Sequence, residues 1–178
     1  IAPIVIFVGD QNRVERVASH FDDIEFETQK REFKTITGIY KGTRMSVIST
    51  GIGPDNIDIV MNELDALVNI DLVNRTVKKE HVQLNIVRIG TSGSLQKDIP
   101  VDSFVLAKYG LGFDGMLHSY DCEHILEADF EDAFIKHTYW SLRKARPYIV
   151  KNSKTLEKKL ASDKVFIGVT ATAVGFYG

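Results

Sequence analysis

Short, largely apolar runs recur along the chain, and several of them stop at glycines. Ile4–Val8 precedes Gly9, and residues 84–89 precede Gly90. Apolar runs of this length without alternation are typical of strands that are buried on both faces of a sheet. The pattern therefore predicts a strand at each place, followed by a turn. Further strands are predicted over Phe33–Tyr40, 44–49, 104–109 and 165–174.

Apolar residues at helical spacing predict two helices in the first half of the chain. The first covers residues 13–21, and Asp10 or Asn12 could cap its N-terminus. The second follows Pro54, a residue suited to the first turn of a helix. The apolar positions of the first helix are Val14, Val17, Ala18 and Phe21, and those of the second are Ile57, Val60, Met61, Leu64, Leu67 and Val68.

The second half of the chain has a weaker pattern. Residues 114–146 mix acidic, aromatic and histidine residues, which predicts a loop with some helix. Ser153 can cap a short helix that directs Leu156 and Leu160 inward. Strands that alternate with helices predict an α/β fold: a mixed central sheet flanked by helices, forming a single domain over 1–178.

Composition narrows the class of protein. The chain has 178 residues, 44% of them hydrophobic and 26% charged, with a net charge of −2. These values favour a soluble globular domain and disfavour disorder, nucleic-acid binding and membrane insertion. One cysteine, Cys122, excludes an internal disulfide and suits a reducing compartment, so we expect a cytoplasmic protein. The chain begins within an apolar run and stops at Gly178 after another, so we expect residues beyond Gly178 to be missing.

Two arginines beside the glycine turns indicate an anion site. Arg13 falls in the first turn of the first helix, and Arg88 lies two residues before Gly90, in an apolar strand where it needs a partner. Guanidinium groups bind phosphate through paired hydrogen bonds, and Thr91 and Ser92 add hydroxyl donors. The alternative is that Arg13 is a solvated surface charge, which is the more common situation of an arginine side chain. Neither nucleotide-binding fingerprint fits, because Asn56 stands where a dinucleotide motif carries its third glycine and no Gly-Lys-Ser/Thr loop occurs.

Several motifs resemble those of the nucleoside phosphorylase family, in the same order along the chain. They are Gly9-Asp10-Gln11-Asn12-Arg13-Val14-Glu15-Arg16-Val17-Ala18, Arg31-Glu32-Phe33-Lys34-Thr35, Ser49-Thr50-Gly51-Ile52-Gly53, Arg88-Ile89-Gly90-Thr91-Ser92-Gly93 and Gly168-Val169-Thr170-Ala171 with Phe176-Tyr177. Among family members, the sequence is most similar to the uridine phosphorylases. The resemblance implies a pentosyltransferase that cleaves uridine with inorganic phosphate to uracil and ribose 1-phosphate, with no organic cofactor.

The resemblance also assigns roles to single residues. Arg13, Arg31 and Arg88 would be the catalytic residues, with Arg31 reaching the site of a neighbouring subunit, since family members form homodimers or hexamers of dimers. The remaining contacts would come from Gly9 and Thr91 at the phosphate, Ser92 and Gly93 near the base and ribose, and Phe176 against the nucleoside. The family residues that read the base and ribose would lie beyond Gly178.

A monovalent-cation site is a further property of some uridine phosphorylases. The resemblance would place it at Glu32, Ile52 and the position of Asn56. Asn56 replaces a serine hydroxyl there, which argues against the cation. No other metal is expected. The spacing of His118, Cys122 and His124 fits no standard zinc site and favours a solvated loop.

Three alternatives remain open at this stage. The same scaffold could act on purine nucleosides, or the chain could be a nucleoside- or phosphate-binding module without catalysis. A hydrolytic nucleosidase would share the fold but would not need phosphate-binding arginines.

Overall fold

The apolar run Ile4–Val8 forms β1, the inner strand of a mixed sheet, in the computed structural model, which describes residues 1–175. β1 pairs in parallel with β4 (Thr43–Ser49) on one side and with β7 (Asn85–Ile89) on the other. Val5 is fully buried because helices cover both faces of the sheet. The predicted buried strand is confirmed.

Two antiparallel strands extend the sheet beyond β4. They are β2 (Asp23–Lys30) and β3 (Phe33–Tyr40), and the complete order is β2-β3-β4-β1-β7. Lys41 and Gly42 form the predicted turn between β3 and β4. The sequence did not predict β2, because Ile24 and Phe26 are the large apolar residues among its eight positions and every residue of the strand is exposed.

One helix packs on each face of this sheet. α1 (Gln11–Ala18) is capped by the side chain of Asp10, and its buried Val14 and Ala18 join a cluster with strand residues. α2 (Pro54–Asn69) covers the opposite face through Val60 and Leu64. The α1 cluster also contains Val8, Ile36 and Val47, and the α2 cluster contains Val5, Phe7 and Ile48. The predicted mixed sheet flanked by helices is therefore confirmed.

After α2, the chain forms a small hairpin before it enters β7. The hairpin consists of β5 (Ile70–Asp71) and β6 (Thr76–Val77). Asp71 accepts hydrogen bonds from the backbone of Val73 and Asn74, and these bonds lower its pKa. Of the two strands, only β6 falls within residues 74–81, whose polar and basic composition predicts an exposed elaboration, and β6 is exposed.

The chain divides into two compact units, Ile1–Ser92 and Gly93–Gly178, and the elements above belong to the first. The second unit contains a three-stranded sheet of order β10-β8-β9. Its elements are β8 (Phe104–Gly112), α3 (Ala128–Thr138), β9 (Tyr148–Lys151), α4 (Lys154–Leu160) and β10 (Val165–Thr172). That all of 1–178 folds as a single domain stays a prediction.

Buried polar groups anchor α3 and β9 of the second unit. The Glu131 carboxylate is 3% exposed and accepts a hydrogen bond of 2.9 Å from the backbone N–H of Ile149. The Tyr148 hydroxyl donates to Asp114 at 2.7 Å, and burial together with this bond raises the pKa of Tyr148. Ser153 caps α4 as predicted, but Leu160, predicted to point inward, is 42% exposed because α4 ends there.

Within residues 1–175, every helix is too short or too polar to cross a membrane.

Candidate functional site

The carboxyl ends of three neighbouring strands meet at one edge of the five-stranded sheet. β4, β1 and β7 run in parallel, so the residues that follow them lie side by side, about 4.8 Å apart from strand to strand. β3 runs antiparallel to β4, with Thr35 opposite Ile48, so the β2–β3 turn lies at the same edge. Gly9, Gly51, Gly90 and Arg31 therefore share this edge. In open α/β sheets, ligands bind at such carboxyl edges.

Arg13 is held over Gly9 by the Asp10 carboxylate. Asp10 Oδ1 accepts from the Arg13 backbone N–H at 3.0 Å, and Asp10 Oδ2 accepts from Arg13 Nε at 2.6 Å. Both bonds lower the pKa of Asp10. A Cβ atom on Gly9 would lie 3.2 Å from Arg13 Nη2, so the guanidinium group rests on the glycine. The two Nη atoms have no partner within residues 1–175 and are available to an anion.

Arg88 repeats this arrangement on the next strand. Val8 pairs with Ile89, so Gly9 and Gly90 follow as neighbours. A Cβ atom on Gly90 would lie only 2.5 Å from Arg88 Nη1, which means that this guanidinium group also folds back over a glycine. Arg88 is predicted to need a partner, but it has none within residues 1–175. The reason is that β7 is the last strand of its sheet, which leaves Arg88 exposed.

Other residues predicted to contact the ligands come after Gly90, and they do not all belong to the first unit. Thr91 and Ser92 directly follow Gly90 and are exposed at the end of the first unit. Gly93 is the first residue of the second unit. Phe176 lies outside the described residues.

Arg31 occupies the turn between β2 and β3 with a left-handed backbone, φ 56°. Its side chain is exposed and makes no hydrogen bond or ion pair in the described part of the chain. The side chain of Gln11, the first residue of α1, donates from Nε2 to the Arg31 carbonyl oxygen at 2.5 Å. Gln29 Nε2 donates to Gln11 Oε1 at 2.9 Å. Sequence reasoning missed Gln11, because a glutamine at a helix start carries no signal of such a contact.

Glu32, beside Arg31, is held by two other elements. Ser49 Oγ donates to the Glu32 carbonyl oxygen at 2.6 Å. Asn56 Nδ2 donates to Glu32 Oε1 at 3.2 Å and to the Ile52 carbonyl oxygen at 3.1 Å. Because both partners are acceptors, the amide must face them with its nitrogen.

This arrangement bears on the cation site that the family suggests. A monovalent cation would need the Glu32 carboxylate and the Ile52 carbonyl as oxygen ligands. The Asn56 amide directs its hydrogens at both oxygens and lies between them. The residues present therefore do not fit a cation, because both oxygens already accept hydrogen bonds from Asn56.

His118 and Cys122 of the second unit each contact a backbone carbonyl oxygen. His118 Nε2 lies 2.8 Å from the carbonyl oxygen of Arg146, and Cys122 Sγ donates to the Leu117 carbonyl at 3.3 Å. Within residues 1–175, no three His, Cys, Asp or Glu side chains are grouped so that they could hold a metal ion.

Comparisons with known proteins cover almost the whole chain. The family model described as the phosphorylase superfamily matches residues 3–178. A uridine phosphorylase of Haemophilus influenzae is 31% identical over 149 residues, which are 83% of this chain and 54% of that protein. A uridine phosphorylase of Thermococcus kodakarensis is 31% identical over 74% of this chain and 43% of its own length. A DeoD-type purine nucleoside phosphorylase of Thermoanaerobacter is 36% identical over 60% of this chain and 41% of its own length.

Solved structures agree with these relatives. A Trypanosoma brucei nucleoside phosphorylase, described as having uridine phosphorylase activity, superposes with a TM-score of 0.83 at 30% identity, covering 99% of this chain and 64% of that one. A uridine phosphorylase of Vibrio fischeri superposes with a TM-score of 0.66 at 22% identity, which supports the fold alone. The chain thus spans about half the length of its relatives. With motifs, fold and family model in agreement, the chain belongs to the phosphorylase superfamily of nucleoside phosphorylases.

Proposed function

We propose that the protein catalyses the phosphorolysis of a nucleoside, with uridine as the first candidate substrate. One observation carries the proposal. Arg13 and Arg88 lie over the glycines that follow two adjacent parallel strands. Within residues 1–175, the two Nη atoms of Arg13 and the whole guanidinium group of Arg88 have no protein partner, while Arg13 Nε is held by Asp10. Two guanidinium groups at neighbouring glycines suit the charge and the paired oxygens of one phosphate ion.

The chemistry requires positioning rather than a protein nucleophile. An oxygen of inorganic phosphate forms a bond to the anomeric carbon, while the bond from that carbon to the base nitrogen breaks. The electron pair of the broken bond leaves with the base, which then takes up a proton. Arg13, Arg88 and the partner subunit's Arg31 would hold phosphate in line with the breaking bond and oppose its charge. Phosphate is the co-substrate, and we propose neither an organic cofactor nor a cation.

Two classes of nucleoside compete as the substrate. Uridine is favoured because uridine phosphorylases match large shares of this chain, 83% for that of Haemophilus influenzae and 74% for that of Thermococcus kodakarensis. Purine nucleosides are the second candidate, since DeoD-type purine phosphorylases are 34–37% identical over shorter segments. Initial rates with uridine and inosine at equal concentration separate the two.

Phosphate dependence is the decisive test of the reaction. We expect the full-length protein to release base only when inorganic phosphate is added, whereas a nucleosidase would release base equally well in phosphate-free buffer. Binding of phosphate and nucleoside without turnover would identify a binding module instead.

The arginines can be tested in the same assay. We expect Arg88→Ala to lower kcat/KM by about 10²–10³-fold, the loss typical of one charge-stabilising donor, with the fold intact by circular dichroism. The matched control is Arg16→Ala, because Arg16 is also in the first unit, is exposed, and lies away from the glycine turns on α1. Near-normal turnover of Arg88→Ala would remove Arg88 from the phosphate site.

Assembly and location extend the proposal. We propose a homodimer or a hexamer of dimers with sites shared between subunits, because the Arg31 side chain is exposed and has no partner in the described part of its own chain. Cytoplasmic location stays a prediction from composition.

A further inference from the structure

The turn that carries Arg31 has a strained backbone. Arg31 is in the left-handed region at φ 56°, where a residue with a Cβ atom is disfavoured. Such conformations persist only where the surroundings fix them, and they are concentrated at functional positions. The structure should therefore contain groups that hold this turn in place.

Three side chains from three different elements hold it. Gln11 of α1 donates to the Arg31 carbonyl, and Ser49 of β4 donates to the Glu32 carbonyl. Asn56 of α2 donates to the Glu32 carboxylate. The backbone of the turn is thus fixed on both sides, while the Arg31 side chain has no partner within residues 1–175.

Gln11 differs from the other two because of where its own backbone lies. It is next to Asp10, the residue that holds Arg13 over Gly9. Gln29 donates to Gln11 Oε1, so the amide is oriented with its nitrogen towards the Arg31 carbonyl. One glutamine therefore links the start of α1, where Asp10 holds Arg13, to the turn that presents Arg31.

We propose that Gln11 is a positioning residue for phosphate binding, which acts by holding the Arg31 turn in its left-handed conformation. The inference rests on the proposed function, in which Arg31 contacts phosphate in the partner's site. Without the amide, the turn relaxes and the guanidinium group loses its fixed direction. Phosphate affinity falls, while nucleoside affinity does not.

The first experiment compares Gln11→Leu with Asn12→Ala in the full-length protein. Leucine fills a similar volume but can neither donate nor accept. Asn12 is the adjacent residue on α1 and is exposed. We expect Gln11→Leu to raise the phosphate KM about 3- to 10-fold, which is the effect of losing one hydrogen bond. The nucleoside KM should stay unchanged. Asn12→Ala should change neither constant. An unchanged phosphate KM in Gln11→Leu, or an equal rise of both KM values, would overturn the proposal.

The second experiment asks whether Gln11 acts through Arg31. In an Arg31→Ala background, we expect Gln11→Leu to have no further effect on phosphate affinity, measured by calorimetry with inorganic phosphate. An additive effect in the double variant would contradict the proposal. If Gln11→Leu does not fold, Gln29→Leu takes its place, because it frees the same amide and should weaken phosphate binding in the same direction.

Calorimetry also separates this inference from the proposed function. A protein that binds phosphate but shows no phosphate-dependent turnover contradicts the proposed reaction. The affinities of the Gln11 and Asn12 variants still decide the role of Gln11 in that case.

Discussion

At the scale of single residues, the candidate site depends on the absence of a Cβ atom from Gly9 and Gly90. The Arg13 and Arg88 guanidinium groups come close to the positions that a Cβ atom would take on Gly9 and Gly90, with Arg13 Nη2 at 3.2 Å from the first. The approach is closer at Gly90, where the Cβ atom would be 2.5 Å from Arg88 Nη1. Glycine permits this contact because it has no side chain. Each guanidinium group can therefore pack directly against the glycine backbone.

Gly90→Ala should therefore displace Arg88 without disturbing the sheet. We expect the added methyl group to push the guanidinium away and to raise the phosphate KM by about tenfold, the effect of weakening one charged hydrogen bond. Gly110→Ala is the control, because a Cβ atom there would meet only Val150 Cγ2 at 3.7 Å, an ordinary contact. Steady-state kinetics in phosphate measure both variants. Equal effects of the two substitutions would argue against a specific role for Gly90.

At the scale of elements, the sequence predicts the strands and helices that bury apolar residues. It does not predict elements that are exposed or very short. β1 was predictable because its residues are apolar and both its faces are covered. β2 was not, because all eight of its residues are exposed and it is held by pairing with β3 alone on one side. β9, with four residues, is too short to show a period.

The candidate site likewise contains features that the sequence predicts and features that it does not. The sequence places Arg88 near the end of β7 and Arg13 in the first turn of the helix that follows β1, so both are expected at the carboxyl edge of the sheet. The roles of Gln11 and Asn56 do not follow. Each side chain contacts a turn 20 or 24 residues away in sequence. No local pattern encodes such a contact, and only the fold brings these groups together.

The link between α2 and the β2–β3 turn can be tested through its dependence on cations. We expect the melting temperature of the unsubstituted protein to be equal in potassium chloride and choline chloride, because the Asn56 amide satisfies the oxygens that a cation would need. Asn56→Ser removes that amide. We expect this variant to melt lower in choline and to regain about 2–4 °C in potassium, the shift produced by roughly 1 kcal/mol of ion binding.

Asn62→Ser is the control for this prediction, since it makes the same substitution on the same helix, where the Asn62 amide contacts Asp58. Its melting temperature should not depend on the choice of cation. Saturable stabilisation of the unsubstituted protein by potassium would show that Asn56 turns its oxygen to a bound ion, contrary to the expectation.

At the scale of the whole molecule, the question is how many chains build one site. Arg13, Arg88 and Arg31 lie at the same edge of one sheet, but Arg31 is on a turn about two strand spacings from β1. The proposed dimer places this Arg31 in the partner's site. If so, two inactive variants can complement each other.

Co-expression of Arg31→Ala with Arg88→Ala tests this sharing directly. Half of the dimers formed from equal amounts are mixed, and each mixed dimer has one site with all its arginines. We expect roughly a quarter of the unsubstituted activity, well above that of either variant alone. The matched control is Arg13→Ala with Arg88→Ala, because both side chains belong to the same subunit's site, so every mixed dimer has two defective sites and activity should not return. Recovery in both pairs, or in neither, would contradict a site in which Arg31 crosses the subunit boundary.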